Sequence, residues 1–316
     1  MSGASGIALA FGQMALLVLL GPLVTGFIQK LKARLQCRSG ASVVQPYRDL
    51  AKLLRKGTVQ SDTASGFYRA IPPIVLASTV SAASMVPVLV LPAAVTAPPL
   101  GDAILLIGLL ALGRFLTALG ALDAGGAFGG MGASREMTLG PLVEPVLLLV
   151  VFSVAVAAGT TDLAELAARR ATHAELAWRA PDILALGAAL VLLLAESGRI
   201  PVDNPDTHLE LTMIHEGMLL EHSGPALACM VLANHTKQLV VMAVIGALFL
   251  PLGLARVLEP LSVAIALAAF LGKVAVLAVF LGLVESSYAK LRFFRVPQFL
   301  AIGFLCAFLA LALRVL

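Results

Sequence analysis

Eight intervals of this 316-residue chain are apolar for close to the length of a lipid bilayer. That pattern constrains the fold more than any motif does. About 20 apolar residues cross the hydrocarbon as a helix, because every backbone N–H and C=O must find its partner inside the segment. The intervals are about 7–28, 71–91, 103–122, 139–158, 183–195, 226–250, 258–283 and 299–313. The fifth is short and the eighth only moderately apolar, so both are expected to extend into neighbouring polar residues. The expected fold is all-α: a single polytopic membrane domain over 1–316 with about eight transmembrane helices and amphipathic helices in its loops. Charged residues make up 13% of the chain, about half the share of a soluble domain.

The charges set the orientation. The interval 30–69 holds nine Lys and Arg residues, and Lys290, Arg292 and Arg295 follow the seventh span. Both fall on one side, with Arg135 and the stretch 196–224, and the positive-inside bias makes that side cytoplasmic. The cytoplasmic loops are then about 30–69, 123–138, 196–224 and 284–298, and both termini lie outside a plasma (inner) membrane. Arg169 and Arg170 run against the bias, in a helical-looking segment 162–177 expected to lie on the outer surface. The first apolar run lacks a basic lead-in, which predicts a retained helix and not a cleaved signal. The basic residues carry no interleaved aromatics, which argues against nucleic acid. Cys37, Cys229 and Cys306 are far apart and form no C-x-x-C, so neither a disulfide framework nor an iron–sulfur site is expected in this chain. There is no internal repeat of the secondary-transporter kind.

The polar intervals carry the chemistry. In the first loop, Leu50, Leu53 and Leu54 alternate with cations at helical spacing, which predicts an amphipathic helix over 47–56 lying on the membrane or against a soluble partner. Arg34, Arg38, Gln45, Tyr47, Arg48, Asp49 and Lys52 there, with Arg292 and Arg295 in the last loop, are the candidate docking surface. At the fourth span, Glu136 opens the segment and Glu144 lies about two turns deeper. An acid at that depth pairs or titrates, so Glu144 either locks helices together with an arginine or is a stop on a proton path. The interval 196–224 is the longest polar stretch. Glu196, Arg199 and Asp203 surround Pro201, and from Asp206 an amphipathic helix is expected. It would place His208, His215 and His222 on one face, with Glu210, Glu216 and Glu221 on others. Histidines seven apart on one helix are about 10 Å apart, too far for one metal ion, so none is expected. Arg114, Lys237 and Lys273 are cations inside spans. Their natural partners are Glu144, Glu196 and Glu285, either as plain helix-to-helix ion pairs or as a titratable chain.

Five segments carry a resemblance: RSGASVVQPYRDLAKLL (38–54), GASREMTLGPLVEP (132–145), ESGRIPVD (196–203), HLELTMIHEGMLLEHSG (208–224) and KLRFFRVPQFL (290–300). Together they resemble the membrane-subunit family shared by respiratory complex I and the energy-converting group 4 nickel–iron hydrogenases, over nearly the whole chain. The motif details are closer to the hydrogenase branch, that of hydrogenase-4 component C and formate hydrogenlyase subunit 4. The resemblance implies a subunit that is not catalytic alone, in an oxidoreductase complex. It would anchor a soluble arm made of hydrogenase-like large and small subunits and a ferredoxin-like iron–sulfur subunit, and begin a polar axis toward antiporter-like membrane subunits. The NiFe centre and iron–sulfur clusters would lie on those partners. By motif match, Glu136, Glu144, Glu196, Arg199, Asp203, Glu210, Glu216 and Glu221 are the candidates for the proton path; Lys237 and Lys273 join them as cations at membrane depth. The complex I members hold quinone in the equivalent cavity, and the departures in the first loop and at 201–206 argue against quinone here. The alternatives are a quinone-binding subunit of a complex I-like enzyme and a passive structural anchor.

Overall fold

The computed structural model describes residues 3–90, 101–172, 179–203, 213–255 and 259–316, with backbone alone for 3–9. Eleven α-helices and no strand occur among the described residues, in the order α1 (Gly3–Leu35), α2 (Gln45–Leu54), α3 (Ile71–Met85), α4 (Ala103–Asp123), α5 (Ala127–Ala158), α6 (Leu163–Thr172), α7 (Ala180–Glu196), α8 (His215–Leu219), α9 (Gly224–Phe249), α10 (Pro260–Ser287) and α11 (Val296–Val315). Each of the eight apolar intervals falls on a helix. Six helical stretches are long and apolar enough to span a membrane: Ala10–Leu35, Ala103–Asp123, Ala127–Ala158, Gly224–Phe249, Pro260–Ser287 and Phe293–Val315. The other two intervals form α3 and α7, of 15 and 17 residues. At 1.5 Å per residue these are about 22 and 26 Å long, short of the roughly 30 Å hydrocarbon layer.

The bundle is built around α9, whose residues Gln238–Phe249 are all buried. A helix apolar on every side belongs in the centre, and α1, α3, α7 and α10 pack around it. α11 closes the other flank against α5 and α7. Close approach of α1 to α9 depends on Gly21, where an added Cβ would stand 2.9 Å from the His235 carbonyl oxygen. α2 is the expected amphipathic helix, two residues earlier than predicted. It buries Pro46 and Leu50 while Arg48, Asp49 and Lys52 stay exposed.

Two elements differ from expectation. α5 starts at Ala127, so most of the interval 123–138 is helix and not loop. The reason is an N-terminal anchor. The Glu221 carboxylate accepts the Gly129 N–H at 3.2 Å, a favourable place for negative charge at a helix start. Gly126 and Gly129 make room for it, since a Cβ at either would fall 1.9 Å from Glu221 Oε1 or 2.6 Å from Glu221 Cγ. The second difference is the helix expected from Asp206. Residues 204–212, with His208 and Glu210, lie outside the described residues, and α8 runs only His215–Leu219. His222 therefore does not share a helix face with His215. The chain leaves the helix because Glu221 turns toward α5 and Pro225 opens α9. His222 stacks instead on Tyr68, ring centroids 4.9 Å apart.

Candidate functional site: a buried ionic network beside a polar cavity

Arg114 is the hub. It projects from the middle of α4 and its guanidinium meets carboxylates from two other helices. Nε lies 3.1 Å from Glu136 and Nη1 3.1 Å from Glu144, both on α5, while Nη2 makes a very short contact with Glu196 at the end of α7. Lys237 of α9 reaches the other Glu196 oxygen at 3.4 Å. Four helices thus share one network. A guanidinium suits the role, since its planar fork carries five donors. Gly140 leaves the space, for a Cβ there would touch Arg114 Cδ at 3.1 Å. Glu196 is 4% exposed, whereas the Glu144 side chain is 37% exposed and marks the outer end of the network.

A second cluster sits one turn beyond α7. Arg199 pairs with Glu285 of α10 at 2.7 Å, and Glu285 also pairs with Lys32 of α1 at 3.6 Å. Arg199 donates to Gln238 at 3.3 Å. These residues wall a cavity of about 800 Å³, lined also by Arg38, His215 and His235. Between cavity and hub lies a smaller space of about 30 Å³ lined by Arg114, Glu136, Glu196, His215, Asn234 and Lys237, enough for a water molecule. Three buried polar atoms at these walls have no hydrogen-bond partner among the described residues: His215 Nε2, His235 Nδ1 and Gln238 Nε2. Burial, and next the charge of Lys237, push His215 down to about 4, so its imidazole is neutral at neutral pH.

Asp203 has a positioning role. One oxygen accepts the backbone N–H groups of Ile214 (3.1 Å) and His215 (3.2 Å), and the other pairs with Lys290 at 2.9 Å. It fixes α8, and with it His215, against the last loop. Glu216 lines the cavity. Glu221 stands apart at the start of α5. Lys273 meets none of Glu144, Glu196 or Glu285. The docking candidates Arg34, Arg38, Arg48, Asp49, Lys52, Arg292 and Arg295 are exposed; Gln45 and Tyr47 are half-buried, Tyr47 donating to the Leu19 carbonyl. The cysteines are free on separate elements, and no group of three His, Cys, Asp or Glu side chains is placed to hold a metal ion among the described residues.

Three residues matter more than the sequence indicated. Arg114 was one cation among several, and its signal was a lone arginine midway along a span. Glu285 and Lys32 sit at helix ends, where charge is ordinary. At the opposite end of the bundle, Asp182 of α7 is held by Arg170 of α6 at 2.7 Å and by Arg314 of α11. That cluster tempers the apparent charge on that face.

The family model for NADH dehydrogenase matches residues 7–315. The chain belongs to the NADH dehydrogenase family. Among family relatives it is similar to hydrogenase-4 component C of Escherichia coli K12, with 37% identity covering 96% of this chain and 94% of the relative. Formate hydrogenlyase subunit 4 of the same organism is 35% identical, covering 94% and 95%. The fold matches a chain of the membrane-bound sulfane sulfur reductase, an archaeal respiratory membrane complex, with a TM-score of 0.82, 19% identity and coverage of 98% and 99%. This family member is a multi-pass membrane protein, as its apolar helices and membrane relatives require.

Proposed function

We propose that this family member is the membrane-anchoring and ion-coupling subunit of an energy-converting group 4 hydrogenase or formate hydrogenlyase-like complex. The observation that carries the reading is the Arg114–Glu136–Glu144–Glu196–Lys237 network, beside which a small space shares Gly198, His215 and Asn234 with the lining of the polar cavity. Passive anchoring does not need five ionisable groups gathered in one network; such groups are costly in a membrane and mark ion pathways. In this reading the cavity side is cytoplasmic and both termini lie outside. The exposed cations of 34–52 and 292–295 dock hydrogenase-like large and small subunits and a ferredoxin-like subunit, which carry the NiFe centre and the iron–sulfur clusters. Antiporter-like subunits take up the path beyond Glu144.

The residues suit proton movement. Neutral His215 can accept a proton at one nitrogen and release it from the other, and water in the polar cavity satisfies the unmatched nitrogens around it. Charge arriving on the docked arm shifts the proton affinity of the nearest carboxylates, and closely spaced groups titrate together. Arg114 holds three of them in reach of one another.

A second reading, quinone binding, is favoured by the cavity volume, which lies within the usual range for small-molecule sites. Its lining of Lys32, Arg38, Arg199 and Glu285 suits water better than an isoprenoid tail. The test is to purify the complex through a tag on this chain, identify its subunits, assay hydrogen evolution and extract quinone. The expected result is a nickel-ligating large subunit, hydrogen evolution and no stoichiometric quinone. Quinone with a large subunit lacking nickel ligands would replace this reading with the second. In vesicles, Glu196→Gln is expected to keep the subunits together and lower ion translocation at least about tenfold, as for a loss of 1.4 kcal/mol or more in the coupling step. Unchanged translocation would leave a passive anchor.

A further inference from the structure

The geometry points to the Lys273 face of α10 as the docking surface for a transmembrane helix of another subunit, one bearing an Asp or Glu at the same depth in the membrane. This rests on the reading of the chain as part of a membrane complex. α10 runs Pro260–Ser287, and Lys273 is 13 residues from its start and 14 from its end. At 1.5 Å per residue that is about 20 Å from either end, farther than a lysine can snorkel to the interface. The side chain is half-buried, lying over Gly246 of α9, where an added Cβ would stand 3.5 Å from Lys273 Cδ. It has no ion pair or hydrogen bond among the described residues. Glu285 lies 12 residues, about 18 Å, farther along the same helix and is occupied by Lys32 and Arg199. Only three of the carboxylates, Glu175, Asp206 and Glu210, lie outside the described residues, and each belongs to a polar interval of the sequence, not to an apolar run.

A cation at that depth cannot face lipid alone, so charge complementarity specifies a carboxylate. The surface beside it is shaped for a helix. Val276 is exposed one turn on from Lys273, about 60° from it around the helix axis, and Gly272 beside it is exposed and lets a neighbouring backbone approach closely. Ile265 and Leu283 are exposed along the same side as Val276, an apolar rim for the incoming helix.

The experiment uses the whole complex in native membranes, with a photo-crosslinking residue at Val276. The expected adduct is with another membrane subunit, through a span that contains an Asp or Glu. Lys273→Met then loses that subunit from the purified complex while the soluble arm still co-purifies. Lys273→Glu loses it too, and converting the partner's carboxylate to lysine restores it. Adducts with lipid alone, adducts with a second copy of this chain, or an unchanged subunit complement in Lys273→Met would each overturn the inference. If redox subunits co-purify and α10 links only to lipid, this inference fails and the proposed function stands. If no redox subunit co-purifies with the unaltered chain, the proposed function fails first.

Discussion

At the scale of single residues, burial decides what each ionisable group can do. His222 is 4% exposed and neither ring nitrogen has a partner among the described residues. Burial pushes it down to about 4. Its folded value is thus below the unfolded one of about 6.5, so the unfolded chain binds the proton first as pH falls. Stability from this group is full above about pH 6.5 and is lost progressively toward pH 4, by up to about 3 kcal/mol. His222→Phe keeps the stacking surface for Tyr68 and cannot charge. Melting temperatures of the detergent-purified protein are expected to fall less between pH 7 and 4.5 in His222→Phe than in the unaltered chain; parallel curves would refute the assignment. Tyr68 itself is pushed up to about 12, by burial and by the charges of Glu221 and Asp123. It stays a phenol and donates to the Glu221 carbonyl. Arg114→Lys offers a sharper test of the hub. An ammonium has its three donors on one nitrogen and lacks the planar fork that reaches three separate carboxylates, so the variant is expected to lose about 1–3 kcal/mol in thermal or denaturant unfolding although its charge is preserved. Stability equal to that of the unaltered chain would show that charge alone suffices.

At the scale of elements, two contacts between helices and loops carry distinct predictions. Asp182 holds α6, α7 and α11 together through Arg170 and Arg314. Asp182→Ala leaves two arginines facing one another at a buried position, and removing one member of such a cluster costs about 3–5 kcal/mol. The expected readout is a large fall in melting temperature; a change within error would mean the pairs are solvated. Gly129→Ala tests the anchor of α5. Its Cβ would meet the Glu221 side chain at 2.6 Å, so the carboxylate must leave the helix start. Loss of about 1 kcal/mol is expected from such a cap, with faster hydrogen exchange confined to the first turn of α5. If Glu221→Ala alone produces the same exchange pattern and the double variant adds nothing to it, the contact is the cause.

At the scale of the whole molecule, the two charged regions have separate duties. The Asp182 cluster binds the bundle at one end, while the Arg114 network and the cavity occupy the middle and the opposite end. Asp203 joins the cavity to the last loop through Lys290 and to α8 through two backbone N–H groups. Asp203→Asn keeps an acceptor for those N–H groups and removes the charge opposite Lys290. It is expected to leave assembly intact and reduce ion translocation, because His215 is held less firmly beside the network. Normal translocation in an assembled complex would limit Asp203 to a structural part.

The sequence alone determined that the chain is helical and membrane-embedded, where its apolar helices lie, and which loops carry exposed cations, because hydropathy and helix period are local properties. It also brought out Glu136, Glu144, Glu196 and Lys237, since charge inside or beside an apolar run is conspicuous. Tertiary structure decided the partnerships. Arg114 and Glu196 are 82 residues apart, and no local pattern tells that arginine to gather carboxylates from α5 and α7. Nor does spacing reveal that Glu221 anchors α5, that His222 leaves the helix of His215, or that Lys273 stands away from every carboxylate it was expected to meet. Those outcomes depend on which helices pack side by side and where a glycine lets them close, and only the folded bundle fixes that.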